Sequence, residues 1–334
     1  MNLSKLREKN FQKSTCPIGC QTTRADRRTG EANPKKEKEV EKRLKPFKTK
    51  WIYESLGITK QAYSQRLKRD KEKELEREKV IKLVIEYRKK LPKTGTRKLH
   101  EYLQPKLLEI NIKMGRDAIN DLLRSRGMLI KKTKRFFITT DSKHFYYKSP
   151  NLLTELEITH SEQVFVSDIT YIKTDEGHAY LALVTDAYSR KIMGWSLENN
   201  MKVSMVKDAL EMAHKNCVFN HKNIIHHSDR GIQYCCPDYS QFAKNKGFIL
   251  STTQQYDPYE NAIAERINGI LKYEFGLKNT IKSVVIAQKM VSEAVELYNN
   301  ERMHWSLDFK KPQDVHLQYN KQKNKNYKKE KIVA

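Results

Sequence analysis

The hydrophobic positions of this chain first leave helical spacing at residue 163. Before that point apolar residues recur at helical spacing. Residues 51–69, WIYESLGITKQAYSQRLKR, read as two short helices around a turn. Gly57 marks the turn, Thr59 is the N-cap, and Ala62, Tyr63 and Leu67 share one apolar face. The pair resembles a helix-turn-helix, whose second helix would enter a major groove; a hairpin that only packs fits the pattern equally well. Residues 71–91 read as a separate long helix, charged at first, then apolar at Val80, Ile81, Val84 and Ile85, and stopped by Pro92. Residues 94–130 give a further helical unit, with Ile119, Leu122 and Leu123 on one face and Gly127 as a C-cap.

From residue 163 the period shortens. QVFVSDITYI alternates like a strand with a polar centre, and AYLALVTDAYSR and KIMGWSL follow as two more strands. A helix over 203–216, the short strand NIIHHSD, a helix from Tyr239, the strand FILST and a helix from about Tyr259 to Phe275 come next. A last helix spans 283–301. Three strands able to form a meander, then alternating strand and helix, predict a mixed α/β sheet covered by helices.

Charge changes this picture. The chain has 334 residues and a formal net charge of +25. Residues 1–50 carry 15 basic and 6 acidic residues, 51–149 carry 26 and 12, 150–309 carry 16 and 20, and 310–334 carry 8 and 2. The acidic excess is thus confined to the sheet-forming block, and the flanks are basic, an electrostatic footprint of nucleic-acid binding. Residues 1–45 and the Lys- and Asn-rich stretch from 319 lack apolar periodicity and read as disordered. The run KKTKRFF at 131–137 joins bases to aromatics, as a DNA-contacting arm or an ordinary basic linker would. No stretch is apolar enough for a membrane span or a signal peptide, which excludes an integral membrane protein and points to the cytoplasm. The five cysteines lack the spacing of a disulfide framework or a zinc site and read as reduced thiols.

The chemistry lies in the acidic block. Asp168 interrupts an apolar strand, Asp229 follows a short strand and precedes Arg230-Gly231, and Glu265 lies inside a helix beside Ala262 and Ala264. A carboxylate in an apolar strand destabilises the fold unless it is paired or holds a cation. Two strands and a helix can bring three such groups together only in a tertiary site. Hard oxygen donors of this kind suit Mg2+ or Mn2+, and two such ions serve phosphoryl transfer. Each residue alone could equally be a turn or cap residue. His226 and His227 either place a ring near that site or fill the strand, Trp195 and Trp305 are expected in the core, and Tyr256, Asp257 and Pro258 are expected to form a loop before the Glu265 helix.

The segments FVSDITYI, YLALVTDAYSRKIMGWSL, HHSDRGIQY, DPYENAIAERINGILKYEF and YNNERMHWSL, in this order, resemble the retroviral-integrase superfamily, and more closely the OrfB-type transposases of the IS-three family. That family's signature is Asp, Asp, then Glu after 35 intervening residues, which is the separation of Asp229 and Glu265. The resemblance covers about residues 90–316. It implies a five-stranded RNase H-like core with flanking helices, and catalytic, metal-binding roles for Asp168, Asp229 and Glu265 with two Mg2+ or Mn2+ ions. Lys272 matches the family's basic residue seven positions after the Glu, two helical turns on, as a DNA contact. Arg266, Arg230, Lys131, Lys132, Lys134 and Arg135 are further candidate DNA contacts. Glu260 and Met303 stand where the family usually has Asp and Pro. The implied organisation is a basic leader 1–45, a helical DNA-binding region 46–149, a catalytic core 150–318 and a basic tail 319–334. The implied function is metal-dependent DNA cleavage and strand transfer of an insertion sequence, in a bacterial, nucleoid-associated homo-oligomer on DNA, with an upstream-frame partner protein. The rival readings are an RNase H-like nuclease without strand transfer and a domesticated DNA-binding protein with an inactive core; the intact triad spacing argues against the second.

Overall fold

The computed structural model describes residues 49–130, 145–218, 223–254 and 261–318. Internal contacts divide the chain into two units, Met1–Asp70 and Lys71–Ala334. In the first unit, helix α1 (Thr49–Ser55) ends at Gly57, whose φ of +64° lets Ile58 N donate to Tyr53 O at 3.1 Å. Thr59 Oγ1 then accepts from Ala62 N at 3.2 Å and starts helix α2. The predicted Gly57 turn and Thr59 cap are therefore present. The predicted break near residue 70 is not, because α2 runs unbroken over Lys60–Lys90. No Gly or Pro occurs in that span, and its Lys, Glu and Arg residues are good helix formers.

The second unit holds two packed parts. Val80, Val84 and Tyr87 of α2 pack with Leu99, Leu103 and Leu107 of α3 (Thr96–Glu109) and Ile119 and Leu123 of α4 (Arg116–Ser125). The same helix-ending motif closes α3 and α4. Asn111 (φ +55°) and Gly127 (φ +66°) take the left-handed position, and Ile112 N and Met128 N donate back to Leu107 O and Leu123 O, each at 2.8 Å. The Arg88 guanidinium donates to Met128 O at 2.8 Å and Thr94 O at 3.1 Å, tying both chain reversals to α2.

The other part is a five-stranded sheet of order β3-β2-β1-β4-β5, with β1 Val164–Thr174, β2 Gly177–Asp186, β3 Ile192–Glu198, β4 Ile224–Ser228 and β5 Phe248–Thr252. The first three strands form the predicted antiparallel meander, and β4 and β5 run parallel to β1. Helices α5 (Val203–Lys215) and α7 (Pro237–Asn245), with the short α6 (Ile232–Cys235) between them in sequence, join the cluster containing Phe165, Val184 and Phe248. Helices α8 (Ala262–Glu274) and α9 (Val284–Asn300) join a second cluster with Ile172, Leu181 and Leu183. Alternate residues of β1 thus feed opposite clusters, as the two-residue strand period requires. Gly194 of β3 is set by this packing: a Cβ there would stand 2.1 Å from Ala209 O of α5. Trp195 packs half-buried against the second cluster. Trp305, expected in the core, is 59% exposed, because it lies in a 3-10 turn after α9 with the Arg97 guanidinium 4.8 Å from its ring centre. Among the described residues Cys217, Cys235 and Cys236 are free thiols, and no helix is long and apolar enough to cross a membrane.

Candidate active site

Strands β1 and β4 are parallel and pair from Val164↔Ile225 to Ser167↔Ser228. The next residues are Asp168 and Asp229, so both aspartates sit where the ladder ends and the strands part. Neighbouring strands lie about 5 Å apart. A crevice beyond the carboxyl ends of parallel strands is where open α/β sheets bind ligands. Glu265 reaches the same place from the first turn of α8. Asn261, just before α8, donates its amide to Ser167 O at 3.1 Å and holds the start of the helix against β1.

The three carboxylates feel one another. Asp168 is pushed up to about 7, by burial first, then by the charge of Asp229, with Glu265 contributing less. Hydrogen bonds from Asn268 Nδ2 (2.8 Å) and Ile169 N (2.9 Å) pull the other way without overcoming this. Glu265, more exposed, is also raised, by burial and by Asp229. Asp229 Oδ1 accepts from Gly231 N at 3.0 Å; a Cβ on Gly231 would lie 3.0 Å from that oxygen, so a larger residue there would press on the carboxylate. The sequence-predicted trio is thus brought together, and its mutual repulsion favours a proton or a cation in the site.

The predicted basic residues divide. Lys272 lies 4.2 Å from the centre of the Tyr171 ring, and while burial lowers its pKa the charge of Asp168 raises it, so it borders the carboxylates. Arg266 is exposed next to Glu265. Arg230 donates Nε–H to Thr253 O at 2.5 Å, which fastens the Asp229 turn to the end of β5. Lys131, Lys132, Lys134 and Arg135 lie outside the described residues, as do Tyr256, Asp257, Pro258 and Glu260. His226 and His227 are fully buried. His226 Nε2 meets Ser167 Oγ at 2.7 Å and Tyr239 Oη at 3.3 Å, linking β4 to β1 and to α7, and His227 Nδ1 meets Ser251 Oγ of β5 at 2.9 Å, linking two strands.

Asn268 escaped the sequence reading. It is 5% exposed, grips Asp168, and leaves its own Oδ1 without a hydrogen-bond partner. Its signal was there: an Asn three residues after Glu265 and four before Lys272, within the apolar run Ile267, Ile270, Leu271. Among the described residues no three His, Cys, Asp or Glu side chains form a ready-made metal site as they stand. The donor chemistry nevertheless fits a hard cation, with mutually repelling carboxylates beside one buried, orphaned amide oxygen.

Two family models described as integrase core domain match residues 158–258 and 246–312. The insertion element IS600 uncharacterized 31 kDa protein of Shigella sonnei is 34% identical over 215 residues, covering 64% of this chain and 77% of that protein. The transposase for insertion sequence element IS904 of Lactococcus lactis is 31% identical over 200 residues, 59% of this chain and 78% of that protein. The transposase InsF for insertion sequence IS3A of Escherichia coli is 32% identical over 215 residues, 63% and 72%. On the strength of these relatives and of the integrase core matches, this chain, with its mixed five-stranded sheet and flanking helices, belongs to the IS3 family of insertion-sequence transposases, polynucleotidyl transferases built on an integrase core.

Proposed function

We propose that the chain cuts and rejoins DNA at the ends of its own insertion sequence, with Asp168, Asp229 and Glu265 as the catalytic group, residues 46–149 as the DNA-binding region and 150–318 as the catalytic core. One observation carries the reading: the β1–β4 register ends at Ser167↔Ser228, which sets Asp168, midway along β1, and Asp229, just past the end of β4, side by side where those two strands part. The raised pKa of Asp168, caused in part by both other carboxylates, supports it. In the first step water attacks a phosphodiester, a P–O bond forms to the water oxygen, and the bond to O3′ breaks, freeing a 3′-OH. In the second, that 3′-OH attacks a target phosphodiester and the target's own O3′ leaves. Neither step needs a covalent bond to the protein.

Integrase-type transferases typically use divalent metals. Asp168, Asp229 and Glu265 would hold Mg2+ or Mn2+, two ions in the fullest form. When bound, such cations polarise the phosphoryl oxygen and lower the pKa of the attacking oxygen. The chain's own residues do the rest. Asn268 and Ile169 N fix the Asp168 rotamer, Gly231 N fixes Asp229, and Lys272 and Arg266 offer positive charge to DNA phosphates beside the carboxylates. The basic helical region supplies most of the affinity for the duplex, and the protein acts as a homo-oligomer on DNA. The resemblance also implies an upstream-frame partner, which co-purification with that product tests.

The decisive experiment uses DNA carrying the element's ends. Asp168→Asn, Asp229→Asn and Glu265→Gln should each lower cleavage and strand transfer at least about 10³-fold while end binding and circular dichroism stay near those of the unchanged protein. Near-normal strand transfer by any one of them removes that residue from the group. Cutting without joined product by the unchanged protein supports the hydrolytic nuclease instead.

A further inference from the structure

Helix α8 begins with Glu265 in its first turn and ends at Glu274, nine residues after it. The Glu274 carboxylate is held from two directions. Arg302, beyond the end of α9, donates Nε–H to Oε2 at 2.7 Å and Nη2–H to Oε1 at 2.8 Å, and is itself only 3% exposed. Lys98 of α3 stands 3.7 Å from Oε1. Burial, with the Arg302 charge second, pushes Lys98 down to about 8, so one carboxylate serves two partly buried cations. Around this cluster the helical part rests on α8 and α9. Phe275 and Leu297 pack into the helical core, Lys90 pairs with Glu301 at 3.8 Å, and Arg97 covers Trp305.

Stability does not account for these charges. A buried ion pair can be replaced by well-packed apolar residues with no loss, or with a gain. An apolar contact, however, lets a helix roll, whereas a two-pronged guanidinium–carboxylate pair fixes direction as well as distance. Roll matters here. With side chains about 5–6 Å from the axis, a turn of roughly 20° displaces a carboxylate by about 2 Å. Misplacement by about 1 Å can lower a rate about 10²-fold.

We infer that Lys98, Glu274 and Arg302 form a positioning cluster that sets the rotation of the catalytic helix α8, and with it the place of Glu265, against the helical DNA-binding part. The inference rests on the reading of Glu265 as a catalytic carboxylate. Glu274 lies nine residues, about two and a half turns, along α8 from Glu265, and the cluster acts through that helix.

The test uses the full chain and DNA carrying the element's ends, measuring end affinity, single-turnover cleavage at saturating DNA, and the thermal midpoint. Glu274→Gln should slow cleavage at saturating DNA by about 10- to 100-fold and change end affinity by less than about 3-fold. Arg302→Lys, which keeps the charge and removes the fork, should fall between it and the unchanged protein. The triple variant Lys98→Met, Glu274→Leu, Arg302→Met decides the matter even where Glu274→Gln folds poorly. It should regain the thermal midpoint and stay slow. A triple variant that cleaves at the unchanged rate overturns the inference, because the cluster would then serve stability alone; so does a loss confined to end affinity. Asp168→Asn, run in parallel, separates the two levels: if it still cleaves, the reading of the carboxylates fails, whatever the cluster variants do.

Discussion

If Asp168 is catalytic as proposed, a single residue sets stability against chemistry. Its pKa in the folded chain, about 7, lies well above the ordinary value of 3.8. The folded state therefore keeps this proton to a higher pH than the unfolded state does. Stability from this group is fully present below about pH 4 and is lost as pH rises through about 7. The gap between the folded and unfolded values corresponds to at most about 4 kcal/mol. Asp168→Asn should accordingly raise the thermal midpoint above pH 7 in a chelator, while abolishing cleavage; an unchanged or lower midpoint at pH 8 would show that the carboxylates do not strain the fold. Added Mg2+ should raise the midpoint of the unchanged protein and do less for the variant. Histidine gives the opposite limb. His226, held near 3 by burial and then by His227, and His304, held near 2 by burial and then by Arg302, stay neutral in the folded core. The unfolded chain takes up these protons below about pH 6.5, so stability should fall by a few kcal/mol as pH drops from there toward 3. His226→Gln should flatten that acid limb in a midpoint-versus-pH series.

At the scale of elements, every strand of the sheet was legible as a run of β-branched and aromatic residues, because strands buried on one or both faces carry their period in the sequence. The proposed trio could be singled out for another reason: carboxylates in an apolar strand, at a strand end and inside a helix are out of place unless a tertiary site uses them. The long helix was misread. The charged stretch at 68–79 offers no apolar stripe to follow, and only the missing Gly and Pro show that α2 continues. The Glu274–Arg302 pair could not be read at all, since it joins residues on different elements; Asn268 stood out as an Asn within an apolar helical run, but its partner Asp168, on another element, did not show in the sequence. Trp305 was misplaced because a large aromatic residue says core by composition, and only its 3-10 turn puts it outside. Gly194 makes a sharp element-scale prediction. Gly194→Ala puts a Cβ 2.1 Å from Ala209 O and 2.6 Å from Ala213 N, both backbone atoms of α5 that cannot swing aside. It should cost about 3 kcal/mol or more, read by chemical denaturation. Gly231→Ala, opposed by the Asp229 carboxylate at 3.0 Å, should cost little stability and lower cleavage instead.

For the whole molecule, charge divides the labour. Residues 51–149 carry a net +14 and residues 150–309 a net −4, so a DNA phosphate is drawn to one region and repelled by much of the other. Chemistry on a phosphodiester needs an acidic site, and an acidic site repels its substrate. Under the proposed function a basic region, whose residues from Val80 to Met128 pack on the core through α3, α8 and α9, would answer that conflict. Each Lys or Arg that neutralises a phosphate releases a condensed counterion, so affinity should fall steeply with salt, by about 0.9 in the log–log slope for each contact. The segment 131–135 concentrates four such bases beside two aromatic residues. Replacing Lys131, Lys132, Lys134 and Arg135 together by Gln should therefore weaken binding to all duplex sequences alike and reduce the salt slope by between about 1 and 4. Affinity titrations from about 0.05 to 0.2 M salt, on element-end and on random DNA, measure both quantities. An unchanged slope would remove this segment from the DNA contacts. A loss confined to element-end DNA would make it a reader of bases, because backbone contacts position a duplex without telling one sequence from another.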